Sequence, residues 1–336
     1  MTTAMTAPET AQAYSRLYEI CSQLYLKGIH ADLLPLVQAV PDLARSLPAP
    51  LEMDQCAAAH QALFGFHLLP YESLLLDATG LLGGAVSEAV ATTYQELGYV
   101  TSQTSGAPDH LGEELGLLAF LCGAEADAWT DGKASIARRL QQAQMHFLQH
   151  HLLRWLAPVT VAIRHHEDDF FREVAELTQT LVGEQYSALH EQGFGTEVTF
   201  VLPSAPPLLA NEQTTIKDIA EYLTTPPYSG LCLTRYLINQ LGRQYRLPRG
   251  FGSRSQMLTN LLRSAAQYDA LPALLAELSA QLEAWAGDYE MIYATLPALT
   301  PFVVPWQTRI RETVALLQQL QSQASALLSA DNEPPQ

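Results

Sequence analysis

Two neighbouring stretches, HQALFGFHLLPYESLLLD at residues 60–77 and SGAPDHLGEELGLLAFL at residues 105–121, decide how this chain is read. In the first, an aromatic and aliphatic cluster (Leu63, Phe64, Phe66, Leu68, Leu69, Tyr71) passes through Pro70 into a short acidic helix. In the second, a helix opens with the pair Asp109 and His110. Between them lie the glycine-rich GLLGG, residues 80–84, and a helical segment that stops at Gly98. No set of catalytic groups is present. Apolar side chains beside carboxylates suit the capture of a peptide that is partly apolar and partly basic.

Working outward, the same helical period extends over most of the chain. Tyr14, Leu17, Tyr18, Cys21, Leu24 and Tyr25 recur every three or four residues, and Gly28 supplies a stop. Leu111, Leu115, Leu118 and Cys122 mark one stripe of a helix over 108–123, with Pro108 at its first turn and Asp109 near the positive end of its dipole. A helix over about 131–156, interrupted by Pro158, and another from Pro158 to about Gln192 are expected. TEVTFVLPSAPPLLANEQTT then loses the helical stripe and gains three prolines, so it reads as an extended linker or one short strand. Beyond it, TIKDIAEYL, residues 229–245, residues 253–268 and residues 306–328 are again amphipathic. The expected fold class is all-α.

Composition narrows the function. The 336 residues are enough for more than one core, and 48% hydrophobic with 16% charged describes a globular chain rather than a disordered one. With 35 carboxylates against 18 lysines and arginines the net charge is −17, which attracts cationic partners and disfavours nucleic acid and anionic membranes. The amino terminus lacks the basic start and apolar core of a secretory signal, and no apolar run approaches the roughly 20 residues of a membrane helix, so a cytoplasmic protein without a span is expected. Cys21, Cys56, Cys122 and Cys232 lie far apart without a CxxC pair, as reduced core thiols do.

Several patterns carry a chemical reading beside a plain one. MHFLQHHLLRW places His146 and His150 four apart, and His165, His166, Glu167 and Asp168 follow, a possible zinc set. Against it stand the intervening proline and the absence of HExxH. No GxSxG appears, no cysteine has basic neighbours, and the GxG pairs of GFGTE and GFGSR lack the rest of a dinucleotide fingerprint. Asp109 and His110 read either as a helix cap with a packing residue, or, with Glu72, Asp77, Glu113 and Glu114, as an acidic rim for an arginine-bearing peptide. Leu63 and Phe64 read equally as core or as groove.

These motifs, in this order, resemble the TorD-like chaperones (TorD, DmsD and NarJ relatives) that attend complex molybdenum or tungsten oxidoreductases. The resemblance covers roughly residues 14–190. Leu63 and Phe64 are similar to the family's Leu-Phe element, with His60 where an aromatic ring is usual. Pro70, Tyr71, Glu72 and Ser73 resemble its Pro-aromatic-x-Ser run, and Leu82 to Gly84 its Leu-Gly element. Pro108, Asp109 and His110 resemble its Asp-His element, with Ala107 replacing an acidic residue, and Phe147, His151 and Trp155 resemble its Phe, His and Trp helix. The resemblance implies a TorD-like helical domain over residues 1–195; the change of composition places a linker at 196–213, with a helical extension at 214–328 and a frayed tail at 329–336 beyond it. It implies a cytoplasmic, non-enzymatic chaperone that takes no metal or cofactor itself. That chaperone would hold the twin-arginine leader, or another segment, of a molybdopterin-dependent oxidoreductase catalytic subunit. The residues it implies for the client are Leu63, Phe64, Pro70, Tyr71, Glu72, Ser73, Asp77, Asp109, His110 and Glu114.

The extension concentrates arginines in TRYLINQLGRQYRLPRGFGSRSQML. Arg235, Arg243, Arg249 and Arg254 read as an anion site, or else as partners for the acidic first domain. A metal-dependent helical enzyme using His146, His150 and His165, or a plain helical scaffold, are the alternatives to the chaperone.

Overall fold

The computed structural model describes residues 5–102, 106–211, 213–248 and 250–331, with side chains to 326. Among them the regular structure is helical, the one β-type pairing being an isolated bridge between Tyr71 and His110. The chain divides into two compact units, one of residues 1–200 with Leu296–Phe302 and the other of Val201–Thr295 with Val303–Gln336.

The first unit opens with α1 (Ala7–Lys27), started by Thr6, whose backbone N–H donates to Glu9 Oε2 at 2.8 Å, and ended at Gly28 with φ 71°. Short helices α2 (Leu34–Ala39), α3 (Pro41–Ser46) and α4 (Met53–His60) follow, and α4 widens into a π-helical turn at Gln61–His67. Next come α5 (Glu72–Leu76), α6 (Gly84–Leu97) and α7 (Leu111–Thr130). Helix α7 is the axis of the unit, buried on nearly every side. Its glycines allow α1 to come close: a Cβ at Gly112 would lie 2.9 Å from the Ser22 carbonyl oxygen, and one at Gly116 would lie 3.3 Å from the Ser22 hydroxyl.

Helix α8 (Ala134–His150) packs on the other flank of α7, and α9 (Leu156–Arg164) and α10 (Asp169–Glu191) complete the unit. Two breaks differ from the expected helices. The α8 pattern stops at His151 (φ −125°, ψ −89°) and passes through a 3-10 turn, Leu152–Arg154, rather than running to 156. Pro158 explains this, because its ring would collide with the carbonyl four residues back, at Arg154; it sits instead in the first turn of α9, where a missing N–H costs nothing. The second break falls at 165–168, where the Asp168 side chain accepts a hydrogen bond from Phe171 N at 2.9 Å and starts a new helix.

Residues 196–207 carry no regular structure. In the second unit α11 (Ile216–Thr224) is started by the reciprocal Thr215 and Asp218 cap. It is followed by α12 (Pro226–Ser229), α13 (Arg235–Gln244), α14 (Arg254–Gln267), α15 (Leu271–Thr295) and α16 (Thr300–Asp331). Trp285, Tyr289 and Trp306 fill its core. Gly230 (φ 75°) ends α12 against α16, where a Cβ would sit 2.8 Å from Ile310 N and 2.9 Å from the Trp306 carbonyl, so only glycine fits. The expected tail begins within α16, and residues 332–336 lie outside the described residues.

Candidate functional site

The two stretches that open the sequence argument meet at the Tyr71 and His110 bridge. Glu72 N donates to the Asp109 carbonyl and Leu111 N to the Pro70 carbonyl, each at 2.9 Å. The Asp109 carboxylate then accepts from Ser73 N at 2.9 Å and from the Ser87 hydroxyl at 2.7 Å, so one buried side chain ties the first turn of α5, the first turn of α6 and the entry to α7. Ser73 Oγ accepts from Gly83 N at 3.1 Å and brings the GLLGG loop into the same lattice. The Tyr94 hydroxyl donates to the Pro108 carbonyl at 2.9 Å. His110 caps α7 through Nδ1, which accepts from Gly112 N at 3.0 Å. Burial lowers its pKa to about 4, so the ring is neutral with its proton on Nε2. The Tyr71 ring meets it edge to face at 4.9 Å.

Beneath this lattice two glutamates are buried together. Glu72 Oε2 lies 3.3 Å from His151 Nδ1, and His151 Nε2 lies 3.1 Å from the Thr93 hydroxyl. Glu114 Oε2 accepts from the Trp155 indole N–H at 3.2 Å, and its carboxyl shares a hydrogen bond with Glu72. Burial, with the nearby Glu72 and Asp109 charges, raises the Glu114 pKa well above 4.5, and burial raises Glu72 as well. The raised pKa favours the protonated form of Glu114 beside Glu72. Glu113 accepts from the backbone and hydroxyl of Ser102.

The expected site residues are thus brought together, but mostly inside. Leu63, Phe64, Pro70, Glu72, Ser73, Asp109, His110 and Glu114 are buried; Tyr71 and Asp77 are half-exposed. The carboxylates expected as an acidic rim are internal, except Asp77, because each has its own N–H or O–H donor or shares a proton. Phe64 packs among Tyr25, His60 and Phe171 with ring centroids 5.5, 5.3 and 5.0 Å away. His60 does an aromatic residue's packing and adds a hydrogen bond, Nε2 to the Tyr25 carbonyl at 3.0 Å, its pKa lowered by burial. What these segments show to solvent is Phe66, Leu69, Leu81 and Leu82, 59%, 45%, 69% and 51% exposed. Leu81 and Leu82 were visible in the sequence only as members of a glycine-rich element. The roles of Thr93 and Ser87 carried no sequence signal.

His146 and His150 stack at 4.0 Å, with His150 Nδ1 2.9 Å from the His146 carbonyl, while His165 ends α9. Among the described residues no three His, Cys, Asp or Glu side chains are placed to hold a metal. Of the arginines, Arg254 donates to the Leu233 carbonyl at 3.3 Å, Arg243 is exposed and Arg235 half-exposed; Arg249 lies outside the described residues.

The class that fold and site define is structural: an all-helical unit built round one buried helix, with a polar lattice that locks its loops. The family model described as nitrate reductase delta subunit matches residues 30–161, from before α2 into α9, and so supports the resemblance over that segment. That family is one of molybdoenzyme maturation chaperones that work with nitrate reductase-type catalytic subunits, and it is not a catalytic one. No curated protein and no solved structure matches the chain. No helix among the described residues is long and apolar enough to cross a membrane.

Proposed function

We propose that this chain is a cytoplasmic, non-enzymatic chaperone that binds a segment of a molybdopterin-dependent oxidoreductase catalytic subunit, its twin-arginine leader or another stretch, and holds it for cofactor insertion. The docking surface is the exposed side of the segments that Asp109 ties together: Phe66 and Leu69 before the bridge, the half-exposed Tyr71 and Asp77, and Leu81 and Leu82 in the loop. The observation that carries this reading is the coincidence of four exposed large apolar side chains with a lattice that fixes the backbone beneath them. Exposed apolar surface on a rigid support is what a peptide groove needs. Asp109 and His110 act as positioning residues under that surface. The net charge of −17 favours encounter with a cationic segment.

The test is affinity capture of the tagged chain from its host grown anaerobically, with bound proteins identified by mass spectrometry. A molybdopterin oxidoreductase catalytic subunit should be recovered by the wild type, lost on Phe66→Ser with Leu81→Ser, and reduced on Asp109→Ala. Capture of such a subunit that these substitutions leave unchanged would move the site elsewhere, and repeated capture of none would refute the role.

A further inference from the structure

The acidity of the chain is unevenly distributed. Residues 1–200 carry 24 carboxylates against 9 lysines and arginines, whereas residues 201–336 carry 11 against 9. Between Glu221 and Asp269 there are six arginines and no carboxylate. In the structure this stretch holds α12, α13 and α14, and the loop between the last two is described except for Arg249. Arg243, Arg246 and Arg263 are exposed, and no ion pair joins them to a carboxylate among the described residues. At the end of α13 Glu277 takes a hydrogen bond from Gln244 at 3.2 Å.

At the tip of the loop Phe251 is 94% exposed. Its exposure is built in by the glycines on either side. A Cβ at Gly250 would lie 3.1 Å from Asn260 Nδ2, and one at Gly252, whose φ is 118°, would lie 2.2 Å from Gln256 Oε1, so the backbone hugs α14 and turns the phenyl ring outward. Arg246 occupies the left-handed position (φ 54°) that follows α13, where glycine is the usual residue. An arginine in that backbone position and, five residues on, a phenyl ring in water are both unfavourable features for a loop with no partner.

We propose that this loop is a docking surface for an anionic lipid bilayer, with Phe251 entering the interface and Arg243 and Arg246 meeting lipid phosphates. A bilayer suits the geometry better than an acidic polypeptide does. A lone protruding ring needs a preformed pocket on a protein, whereas the headgroup region receives an aromatic wedge anywhere on its surface. Guanidinium groups bind phosphate through paired N–H donors. The total charge of the chain does not prevent this, because at about 0.15 M salt charge interactions fade over about 8 Å, so the charge of the loop sets the contact. The inference is independent of the client-binding surface and concerns attachment to a membrane surface, with no helix crossing it.

The experiment is co-sedimentation of the full chain with phosphatidylcholine vesicles that contain or lack phosphatidylglycerol, at low and high salt. The wild type should sediment only with the anionic vesicles and be released by salt. Arg243→Gln and Arg246→Gln should each weaken partitioning about fivefold. Phe251→Ser should weaken it roughly tenfold without changing the charge or the helical circular dichroism. Equal sedimentation with pure phosphatidylcholine, no sedimentation, or binding unchanged in all three variants would overturn the proposal. Retention on immobilised polyglutamate with none on vesicles would overturn it in favour of an acidic polypeptide.

Discussion

The two units treat polar groups in opposite ways. In the first, Glu72, Asp109, Glu113, Glu114 and Glu125 are all buried, together with His110 and His151. In the second, the buried polar side chains among the described residues are Thr224, Ser229, Thr234, Thr259, Ser279, Gln307 and Thr313, none of them ionisable. Hydroxyls bonded to carbonyls join helices at little cost, as when Thr313 donates to the Ser229 carbonyl at 3.0 Å. Buried carboxylates are expensive even when each has a donor, and replacing such groups by apolar ones is often neutral or stabilising. Unit one therefore retains an arrangement that stability alone would not select, and it does so beneath the four exposed apolar side chains. The contrast teaches where conformational specificity is concentrated, and it can be broken from either side.

The largest effect is expected at Asp109. Asp109→Ala removes the acceptor from Ser73 N and Ser87 Oγ, both buried, and should cost about 4 kcal/mol, seen in urea unfolding and as faster hydrogen exchange over residues 70–112. Exchange that stays slow there would show that the bridge and packing hold the segments without the carboxylate. Next comes the second unit's own weak point. Gly230→Ala combines a positive φ with contacts of 2.7 to 2.9 Å to Ile310 and Trp306, and should cost about 3 kcal/mol, with exchange quickening in α12 and α16 while residues 70–112 stay protected. If both variants loosened both units alike, the comparison between them would fail.

Much of the fold was legible because periodicity reports burial. The stripe of Leu111, Leu115, Leu118 and Cys122 gave the line of α7, and Gly28 gave the end of α1. What could not be read was that α7 is buried on nearly every side, since Glu113 and Glu114 in a leucine-rich helix look like its wet side. Their burial depends on Trp155 and Ser102, distant in sequence, supplying donors at the right depth. The end of α8 was misplaced because a proline acts four residues upstream of itself, and Asp168 was read as a possible ligand rather than a cap. At the site the sequence drew attention to the right segments. It could not say that Leu63 and Phe64 are buried, Phe64 against Tyr25 and Phe171, while Phe66 and Leu69 face water, because a π-helical turn shifts the register that an α-helix would give.

The buried ionisable groups also set opposite pH dependences in the first unit. His110 is held neutral, with a pKa lowered from 6.5 to about 4, so the stability it brings is complete above 6.5 and is lost as pH falls toward 4. Glu114 is held protonated, with a pKa raised above 4.5, so the stability it brings is complete below 4.5 and is lost as pH rises through the raised value. Because the two dependences oppose each other between 4.5 and 6.5, protection of residues 70–112 should vary little across that interval and fall as pH rises above it. His110→Asn, which keeps a capping acceptor, should leave the Glu114 dependence unopposed, so that protection falls from 4.5 upward. Glu114→Gln, which can still accept from Trp155 and donate to Glu72, should leave the His110 dependence alone, so that protection rises by about 2 kcal/mol between 4 and 6.5 and then stays level. A profile unchanged in both variants would place the titration elsewhere.

The smallest effect belongs to the second unit, and it sharpens the contrast. Thr313→Val is nearly isosteric and removes the hydroxyl that donates to the Ser229 carbonyl and lies 3.1 Å from the Tyr222 hydroxyl. The Tyr222 hydroxyl loses that partner and the Ser229 carbonyl loses a donor, so a cost of about 1 kcal/mol is expected, with no dependence on pH between 5 and 9. No group that titrates in that interval is buried beside it; burial holds the Tyr222 pKa above 10. The measurement is the urea midpoint of the variant against the wild type across that range. A constant difference is the behaviour of a unit held by neutral hydrogen bonds. A difference that grows with pH would mean that ionisable groups reach this core as well, and the division between a charged interior in one unit and a neutral one in the other would no longer hold.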